Sequence, residues 1–104
     1  MKIIKTKFKG LFIVKQVENK DSRGSLRETH NEKIIKKKFN FEYFTHSQKN
    51  VLRGFHFQIQ YQQSKYVNVL KGKILDCVVD LRKNSKTFGK SFKIILSKEN
   101  SLGL

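Results

Sequence analysis

Hydrophobic and polar residues alternate along most of the chain, and a period of two predicts β-strands rather than helices. The stretches that read as strands are residues 11–17, 39–45, 51–58, 66–70, 74–81 and 92–96. Lys71-Gly72 predicts a tight hairpin turn between the strands at 66–70 and 74–81. Only residues 28–38 could hold a helix, and a short one. We therefore expect an all-β chain of six or seven strands, which favours a sandwich or a jelly-roll barrel.

The chain is long enough for one modest core. A protein of 104 residues buries roughly two-thirds of its unfolded surface. Because there is no internal repeat, low-complexity segment or linker, residues 1–104 are expected to form a single domain. A seven-stranded barrel that ends on the short polar tail after Ser97 would keep open edges, so we expect the barrel to be incomplete at its C-terminus.

Several protein classes are excluded by simple features of the sequence. No stretch approaches the 18 or so apolar residues of a transmembrane helix, and the lysine-bearing N-terminus has no apolar stretch typical of a signal peptide. The single cysteine, Cys77, allows neither a disulfide framework nor a cysteine-based zinc site. The expected location is the reducing cytoplasm.

The charge raises the question of nucleic-acid binding. The chain has 23 Lys and Arg against 8 Asp and Glu, a formal net charge of +15, which attracts any polyanion non-specifically. Only four of the basic residues are arginines. Proteins that bind nucleic acid sequence-specifically rely on arginine, because its guanidinium donates two hydrogen bonds at once to a base or a phosphate. The lysines are spread over the whole chain, with one dense run at 36–38. This favours solvated lysine faces, and specific nucleic-acid binding remains the less favoured alternative.

The residue with the clearest catalytic potential is His56, which lies between Phe55 and Phe57 in an apolar stretch. Burial there would lower the pKa of the imidazole and keep it neutral at pH 7, as a general base requires. Arg53 and Lys65 would lower it further, and two such cations need an anion, for which a phosphorylated ligand is the economical choice. The alternative is an ordinary core histidine with a backbone partner.

Arg53 and His56 raise a geometric difficulty. They are an odd number of residues apart, so a regular strand would place them on opposite faces. They can share a site only if the strand is distorted between them, and Gly54 is a plausible bulge position. Alternatively, the cations Arg53 and Lys65 pair with surface acids. The candidate acids are Asp76, Asp80 and Glu99.

Several motifs, taken in order and with their spacing, resemble one enzyme family over nearly the whole chain. They are Arg23-Gly24 with Glu28, residues 51–58, Lys65-Tyr66-Val67, Gly72, residues 79–83, Ser85, Thr87-Phe88-Gly89 and residues 96–100. Any one of them would be a weak signal, but the ordered set is specific. It is similar to the dTDP-4-dehydrorhamnose 3,5-epimerases.

The resemblance implies a cupin-type jelly roll, usually a homodimer, that needs no metal or organic cofactor. This family isomerises a dTDP-linked 4-keto-6-deoxyglucose at C3 and C5 on the way to dTDP-L-rhamnose. By resemblance His56 is the base and Lys65 the cation that stabilises the enolate oxygen. The positions that match substrate-contacting residues are Arg23, Glu28, Arg53 and Lys65.

The sequence also argues against a metal independently of the family. Metal-binding cupins have a His-x-His motif and then a Glu shortly before a Gly. The corresponding positions here are His56, Gln58 and Lys65, ahead of Gly72. A cation in place of a carboxylate disfavours a metal ion by charge repulsion.

Two functional groups of the family have no counterpart in these 104 residues: the tyrosine that donates the proton and the acidic partner of the base. Tyr43, Tyr61 and Tyr66 lie in other motifs. Losing a proton donor costs on the order of a hundredfold to ten-thousandfold in rate. We therefore expect the N-terminal portion of an epimerase, with little or no epimerase activity by itself. A cupin remnant that binds an anion without turnover is the alternative.

Overall fold

The computed structural model describes residues 1–104, which form seven strands and one short helix. The elements are β1 (Lys2–Lys5), β2 (Phe12–Lys15), β3 (Val17–Asp21), β4 (Gly24–Glu28), α1 (Glu32–Ile35), β5 (Lys73–Val79), β6 (Ser91–Ser97) and β7 (Leu102–Gly103). The predicted all-β class and the short helix within 28–38 are confirmed. Of the six stretches predicted as strands, 11–17, 74–81 and 92–96 contain strands, whereas 66–70 forms only an isolated bridge at Asn68. No helix of the structure has the length and apolarity needed to cross a bilayer.

The strands form three small antiparallel sheets, ordered β1-β2-β7, β3-β4 and β5-β6. The apolar stretch predicted at 11–17 is divided between two of them, because β2 ends at Lys15 and β3 begins at Val17. Gln16 lies buried at this junction, and its backbone N–H donates to the Ser101 carbonyl at 2.9 Å. The chain therefore changes sheet at Gln16.

The hydrophobic core is small and centres on Leu96, which is fully buried with Val69 and Leu104. Partly buried apolar side chains from β2, β5, β6 and β7, and two from residues outside the strands, pack around these three. The packing residues are Leu11, Ile13, Val67, Val78, Phe92, Ile94 and Leu102. The alternation predicted for β6 is thus confirmed, since its even-numbered apolar residues face the core.

The hairpin predicted around Lys71-Gly72 is wrong. The chain does bend there, with Gly72 at φ 75°, but β5 pairs with β6 instead of with residues 66–70. Val67 exchanges two backbone hydrogen bonds of 2.9 Å with Leu104, next to an isolated bridge between Asn68 and Gly103. The pairing partner was set by the shared core and not by the nearest turn.

The two faces of β5 differ in burial. Val78 packs against the core, and Asp76 shares its face two residues earlier. Burial raises the pKa of the Asp76 carboxyl above its ordinary value. On the other face Leu75 and its cross-strand partner Ile95 are 65% and 55% exposed. The core-facing side of this strand is therefore the one that carries the acid.

Residues 40–65, which we call the exposed arm, contain no strand, and all their side chains are exposed. The strands predicted at 39–45 and 51–58 are therefore wrong. No backbone–backbone hydrogen bond involves residues 37–66. An alternating sequence becomes a strand only where a neighbouring strand supplies the other half of each hydrogen bond, and within residues 1–104 none does so here.

Candidate functional site

Two of the four arginines are engaged in joining distant parts of the chain. The Arg27 guanidinium donates through Nη1 to the Lys98 carbonyl at 3.1 Å and through Nη2 to the Val69 carbonyl at 2.7 Å. Arg82 donates through Nη1 to the Lys9 carbonyl at 2.7 Å. In both arginines the terminal nitrogens Nη1 and Nη2, which form the end-on fork of the guanidinium, are thus bonded within the protein. These arginines therefore have structural roles.

The other two arginines, Arg23 and Arg53, are exposed and hold their forks free. Arg23 donates through Nε and Nη2 to the Asp21 carboxylate at 3.2 and 2.6 Å. Arg53 donates through Nε to the Ser47 hydroxyl at 3.0 Å and through Nη2 to the His46 carbonyl at 3.2 Å. In each case only the Nε–Nη2 edge is bonded. The Nη1–Nη2 fork remains open to a bidentate anion such as phosphate.

The turn between β3 and β4 places Arg23 at the tip of a hairpin. Asp21 pairs with Gly24 across the turn, and Gly24 has a φ of 140°, which favours glycine. The Asp21 carboxylate also accepts the Arg23 backbone N–H at 2.9 Å. The Arg23 side chain and backbone together hold the pKa of Asp21 below its usual value. The tip therefore carries an ionised carboxylate with a guanidinium fixed beside it.

Glu28 ends β4 and is half-buried. The Asn31 side-chain amide donates to its Oε1 at 2.8 Å. Asn31 also caps α1, since its Oδ1 accepts the Lys33 backbone N–H at 3.1 Å. The same asparagine thus begins the helix and orients the Glu28 carboxylate.

His56 and Lys65 lie on the exposed arm, and the burial predicted for His56 is wrong. The flanking Phe55 and Phe57 are 70% and 68% exposed, and His56 is itself exposed. The physical reason is that the arm has no strand partner and so no sheet to carry its apolar side chains into a core. The alternative of an ordinary core histidine is wrong for the same reason.

The bulge predicted at Gly54 has no strand to interrupt, although Gly54 does adopt a positive φ of 115°. The alternative that the two cations pair with surface acids is also wrong. The three ion pairs of the structure are Lys20–Glu18, Arg23–Asp21 and Arg82–Asp80. Neither Arg53 nor Lys65 takes part in any of them.

An aromatic cluster that sequence reasoning missed joins the two ends of the arm. Phe39 and Tyr66 lie with ring centroids 6.1 Å apart, and His30 packs edge-on against Phe39 at 5.4 Å. The Tyr66 hydroxyl donates to the Thr29 carbonyl at 2.8 Å and accepts from Gln16 Nε2 at 2.7 Å. Burial raises the pKa of Tyr66. Lys65 therefore directly precedes Tyr66, a residue that is fixed in place by these contacts. No spacing in the sequence indicates the contact between Phe39 and Tyr66.

Asp80 organises the connection between β5 and β6. Its buried carboxylate accepts from both Nε and Nη2 of Arg82 at 2.8 Å and from the Ser85 and Thr87 hydroxyls at 2.6 Å. These donors hold the pKa of Asp80 far below its usual range. The motif residues at 80–87 thus have a structural role in this chain.

The described side chains form no group of three or more His, Cys, Asp or Glu that could hold a metal ion. Two open grooves, of about 670 and 450 Å³, lie beside α1 and beside the β3–β4 hairpin, and neither is lined by His56 or Lys65. The second groove reaches Asp21 and Gly24 at the hairpin tip. Both residues are exposed, so the arm presents its candidate base and cation to solvent.

Comparison with known proteins identifies similar sequences. The family model described as dTDP-4-dehydrorhamnose 3,5-epimerase matches residues 5–104. The enzyme of that name from Methanothermobacter thermautotrophicus is 40% identical over 104 residues, which cover 95% of this chain and 56% of that protein. The one from Shigella flexneri is 38% identical over 107 residues, covering 96% of this chain and 59% of that protein. The chain thus spans a little over half the length of these relatives.

Solved structures share its backbone. A dTDP-6-deoxy-D-glucose-3,5-epimerase from Legionella pneumophila, in complex with dTDP-4-keto-L-rhamnose, superposes with a TM-score of 0.90 at 38% identity, covering 98% of this chain and 57% of that one. A dTDP-4-dehydrorhamnose 3,5-epimerase from Bacillus anthracis with TDP and PPi bound gives 0.82 at 30% identity, covering 98% and 62%. The predicted cupin-type fold is confirmed, and it is incomplete relative to these longer proteins.

Proposed function

The chain belongs to the dTDP-4-dehydrorhamnose 3,5-epimerase family, and on this basis we propose that it binds a dTDP-linked 4-keto-6-deoxy sugar of dTDP-L-rhamnose biosynthesis and removes a proton next to the sugar ketone. The observation that carries the proposal is the family match over residues 5–104. That match includes every segment with a candidate site residue. The ligand recorded in the Legionella pneumophila enzyme supports the substrate class.

The chemistry requires a base and a stabilised oxyanion. The C4 ketone acidifies the protons on C3 and C5, and the His56 imidazole would remove one of them. The Lys65 ammonium would stabilise the enolate oxygen that develops on the ketone. His56 is not enclosed by packing, so a sugar ring can approach it. In water this stabilisation is weak, so efficient catalysis requires the arm to exclude solvent once the ligand is bound.

The diphosphate of the ligand would be held by the free forks of Arg23 and Arg53. Each of these guanidinium groups has an open bidentate edge that matches the charge and geometry of a phosphate group. The Glu28 carboxylate, oriented by Asn31, is an acceptor for a hydroxyl group of the ligand. No metal or organic cofactor is needed for proton transfer next to a ketone.

A homodimer is also part of the proposal, and the exposed arm supports it. A standard interface buries about 800 Å² on each partner. Large apolar side chains along the arm are exposed and could supply such an area. They are Phe41, Tyr43, Phe44, Val51, Leu52, Phe55, Phe57, Ile59 and Tyr61. Sedimentation equilibrium should therefore give twice the monomer mass, and monomers at all concentrations would contradict this.

The cytoplasmic location remains a prediction based on the single cysteine.

The experiment that tests the function is hydrogen exchange on the substrate. The chain is incubated in D₂O with the dTDP-linked 4-keto-6-deoxy sugar, and deuterium at C3 and C5 is followed by NMR. Because the 104 residues offer a base but no assigned proton donor, we expect exchange with little net epimerisation. His56→Ala should abolish the exchange.

His46→Ala is the matched control, since His46 lies on the same exposed arm and contacts Arg53 only through its backbone carbonyl. This variant should exchange at the wild-type rate. Binding of the sugar nucleotide without any exchange would contradict proton removal and would favour the non-catalytic remnant. Equal loss in both variants would show that the arm, and not the His56 imidazole, is responsible.

A further inference from the structure

We propose that Asp21 is a positioning residue, which holds the Arg23 guanidinium in the orientation that grips the diphosphate of a nucleotide ligand. The proposal rests on the function proposed above, in which Arg23 contacts that ligand. It adds a role for a residue that neither the motifs nor the resemblance assigned.

The geometry of the pair is side-on. Asp21 Oδ2 accepts from Arg23 Nη2 at 2.6 Å and from Nε at 3.2 Å, while Oδ1 accepts the Arg23 backbone N–H at 2.9 Å. One carboxylate therefore fixes both the turn and the side chain that projects from it. These contacts lower the pKa of Asp21, so its carboxylate, ionised at neutral pH in any case, stays ionised further into acid than that of a free aspartate.

Side-on pairing leaves the part of the guanidinium that recognises phosphate free. A guanidinium has five N–H donors, and the Asp21 pair uses two of them. The remaining three include the end-on fork formed by Nη1 and Nη2, which has no partner in the structure. The Arg23 side chain is 88% exposed, so without Asp21 it would sample many rotamers. Fixing it before the ligand arrives removes part of the entropy cost of binding.

A similar edge-on arrangement occurs at Arg53. There the Nε–Nη2 edge is held by Ser47 and by the His46 carbonyl, and the fork is again free. Arg82 is held by Asp80 along the same Nε–Nη2 edge, but its Nη1 also donates to the Lys9 carbonyl. Arg27 uses Nη1 on the Lys98 carbonyl. Edge-held arginines with open forks are thus confined to the two positions that the resemblance assigns to the substrate.

The negative charge of Asp21 also acts directly on an anionic ligand, in the direction opposite to positioning, and the experiment must separate these two effects. A carboxylate near the site repels phosphate, so neutralising it without any loss of positioning should strengthen anion binding. A positioning role for Asp21 predicts the opposite result, namely weaker anion binding when Asp21 is neutralised. Asp21 and a phosphate would use different edges of the guanidinium, so binding does not require the pair to break.

The test measures the affinity for inorganic pyrophosphate by calorimetry in the full chain. Asp21→Asn keeps an oxygen for the Arg23 backbone N–H but places an amide nitrogen where Oδ2 stood. Glu18→Gln is the matched control, because it removes the same charge from the same hairpin and Glu18 pairs with Lys20 instead of Arg23. We expect Asp21→Asn to weaken binding roughly three- to tenfold, and Glu18→Gln to leave it unchanged or slightly stronger.

A second readout needs no ligand. The Arg23 Nε–H should give a slowly exchanging NMR signal in the wild type, and this signal should be lost in Asp21→Asn while the backbone signals of the hairpin persist. Asp21→Asn should also have no further effect on affinity in an Arg23→Gln background.

The outcomes separate this proposal from the proposed function. If pyrophosphate binds, Arg23→Gln weakens it and Asp21→Asn behaves like Glu18→Gln, the positioning role alone is overturned. If pyrophosphate does not bind, or Arg23→Gln has no effect, the ligand contact at Arg23 fails and the role of Asp21 fails with it.

Discussion

The Asp80 carboxylate accepts hydrogen bonds from Arg82, Ser85 and Thr87, and together they hold the connection between β5 and β6. The backbone closes the same loop, since the Gly89 N–H donates to the Asp80 carbonyl at 2.8 Å. A buried carboxylate with this many donors is far more stable ionised than protonated. The stability of this loop should therefore depend on pH.

Asp80→Asn should lower the thermal midpoint at pH 7 by roughly several degrees. The folded-state pKa of Asp80 lies below its ordinary value of 3.8, so its stabilisation is fully present above about pH 4 and is lost as the pH falls below that. The difference between wild type and Asp80→Asn should accordingly shrink between pH 4 and lower values. Circular-dichroism melts from pH 7 to pH 3 measure it.

Asp76→Asn is the control for this prediction, because Asp76 differs in the sign of its shift. Burial raises the folded-state pKa of Asp76, so ionisation of this carboxyl destabilises the fold as the pH rises through that pKa. Neutralising it should raise the thermal midpoint at pH 7 and have little effect in acid. Parallel pH profiles for the Asp80 and Asp76 variants would contradict both assignments.

At the scale of the element, β6 shows how one strand divides its side chains between core and solvent. The Leu96 side chain is fully buried in the core, whereas Ile95 on the opposite face is 55% exposed to solvent. We expect Leu96→Ala to lower the free energy of unfolding by about 2–5 kcal/mol, because it leaves a cavity. Ile95→Ala should cost less than about 1 kcal/mol. Urea denaturation compares the two, and equal losses would contradict the assigned faces.

The strands also show which local patterns suffice for prediction. The alternation predicts β6 and most of β5 correctly, because each of these strands has its pairing partner within the chain. Residues 51–58 have a similar pattern but remain irregular, since no strand of residues 1–104 pairs with them. Alternation reports a capacity for burial on one face. It does not report whether a partner is present.

The candidate site was predictable to a similar extent. Residue chemistry and motif spacing singled out Arg23, Arg53, His56 and Lys65. They did not indicate that His56 would be exposed, or that the two arginines would keep their forks free. The site assignments themselves remain predictions until the exchange and binding experiments are done.

At the scale of the whole molecule, the net charge of +15 dominates the long-range field. We expect single-stranded oligonucleotides of equal length to bind at low salt without sequence preference. Because such binding rests on counterion release, it should weaken steeply with added salt and become negligible near physiological ionic strength. Fluorescence anisotropy over a salt series measures this. Affinity that persists at physiological salt, or that distinguishes one base sequence from another, would instead favour the nucleic-acid hypothesis.

The sequence by itself determined the all-β class, the short helix, the family resemblance and the side chains capable of acid–base and phosphate chemistry. These follow from periodicity, residue type and spacing, which are local properties of a chain. The tertiary structure alone decided which strands pair, where the exposed arm begins, and which arginines are used structurally. Arg27 bonds a carbonyl 71 residues away and Arg82 one 73 residues away. Such contacts depend on how distant segments come together around the core, and no local pattern encodes them.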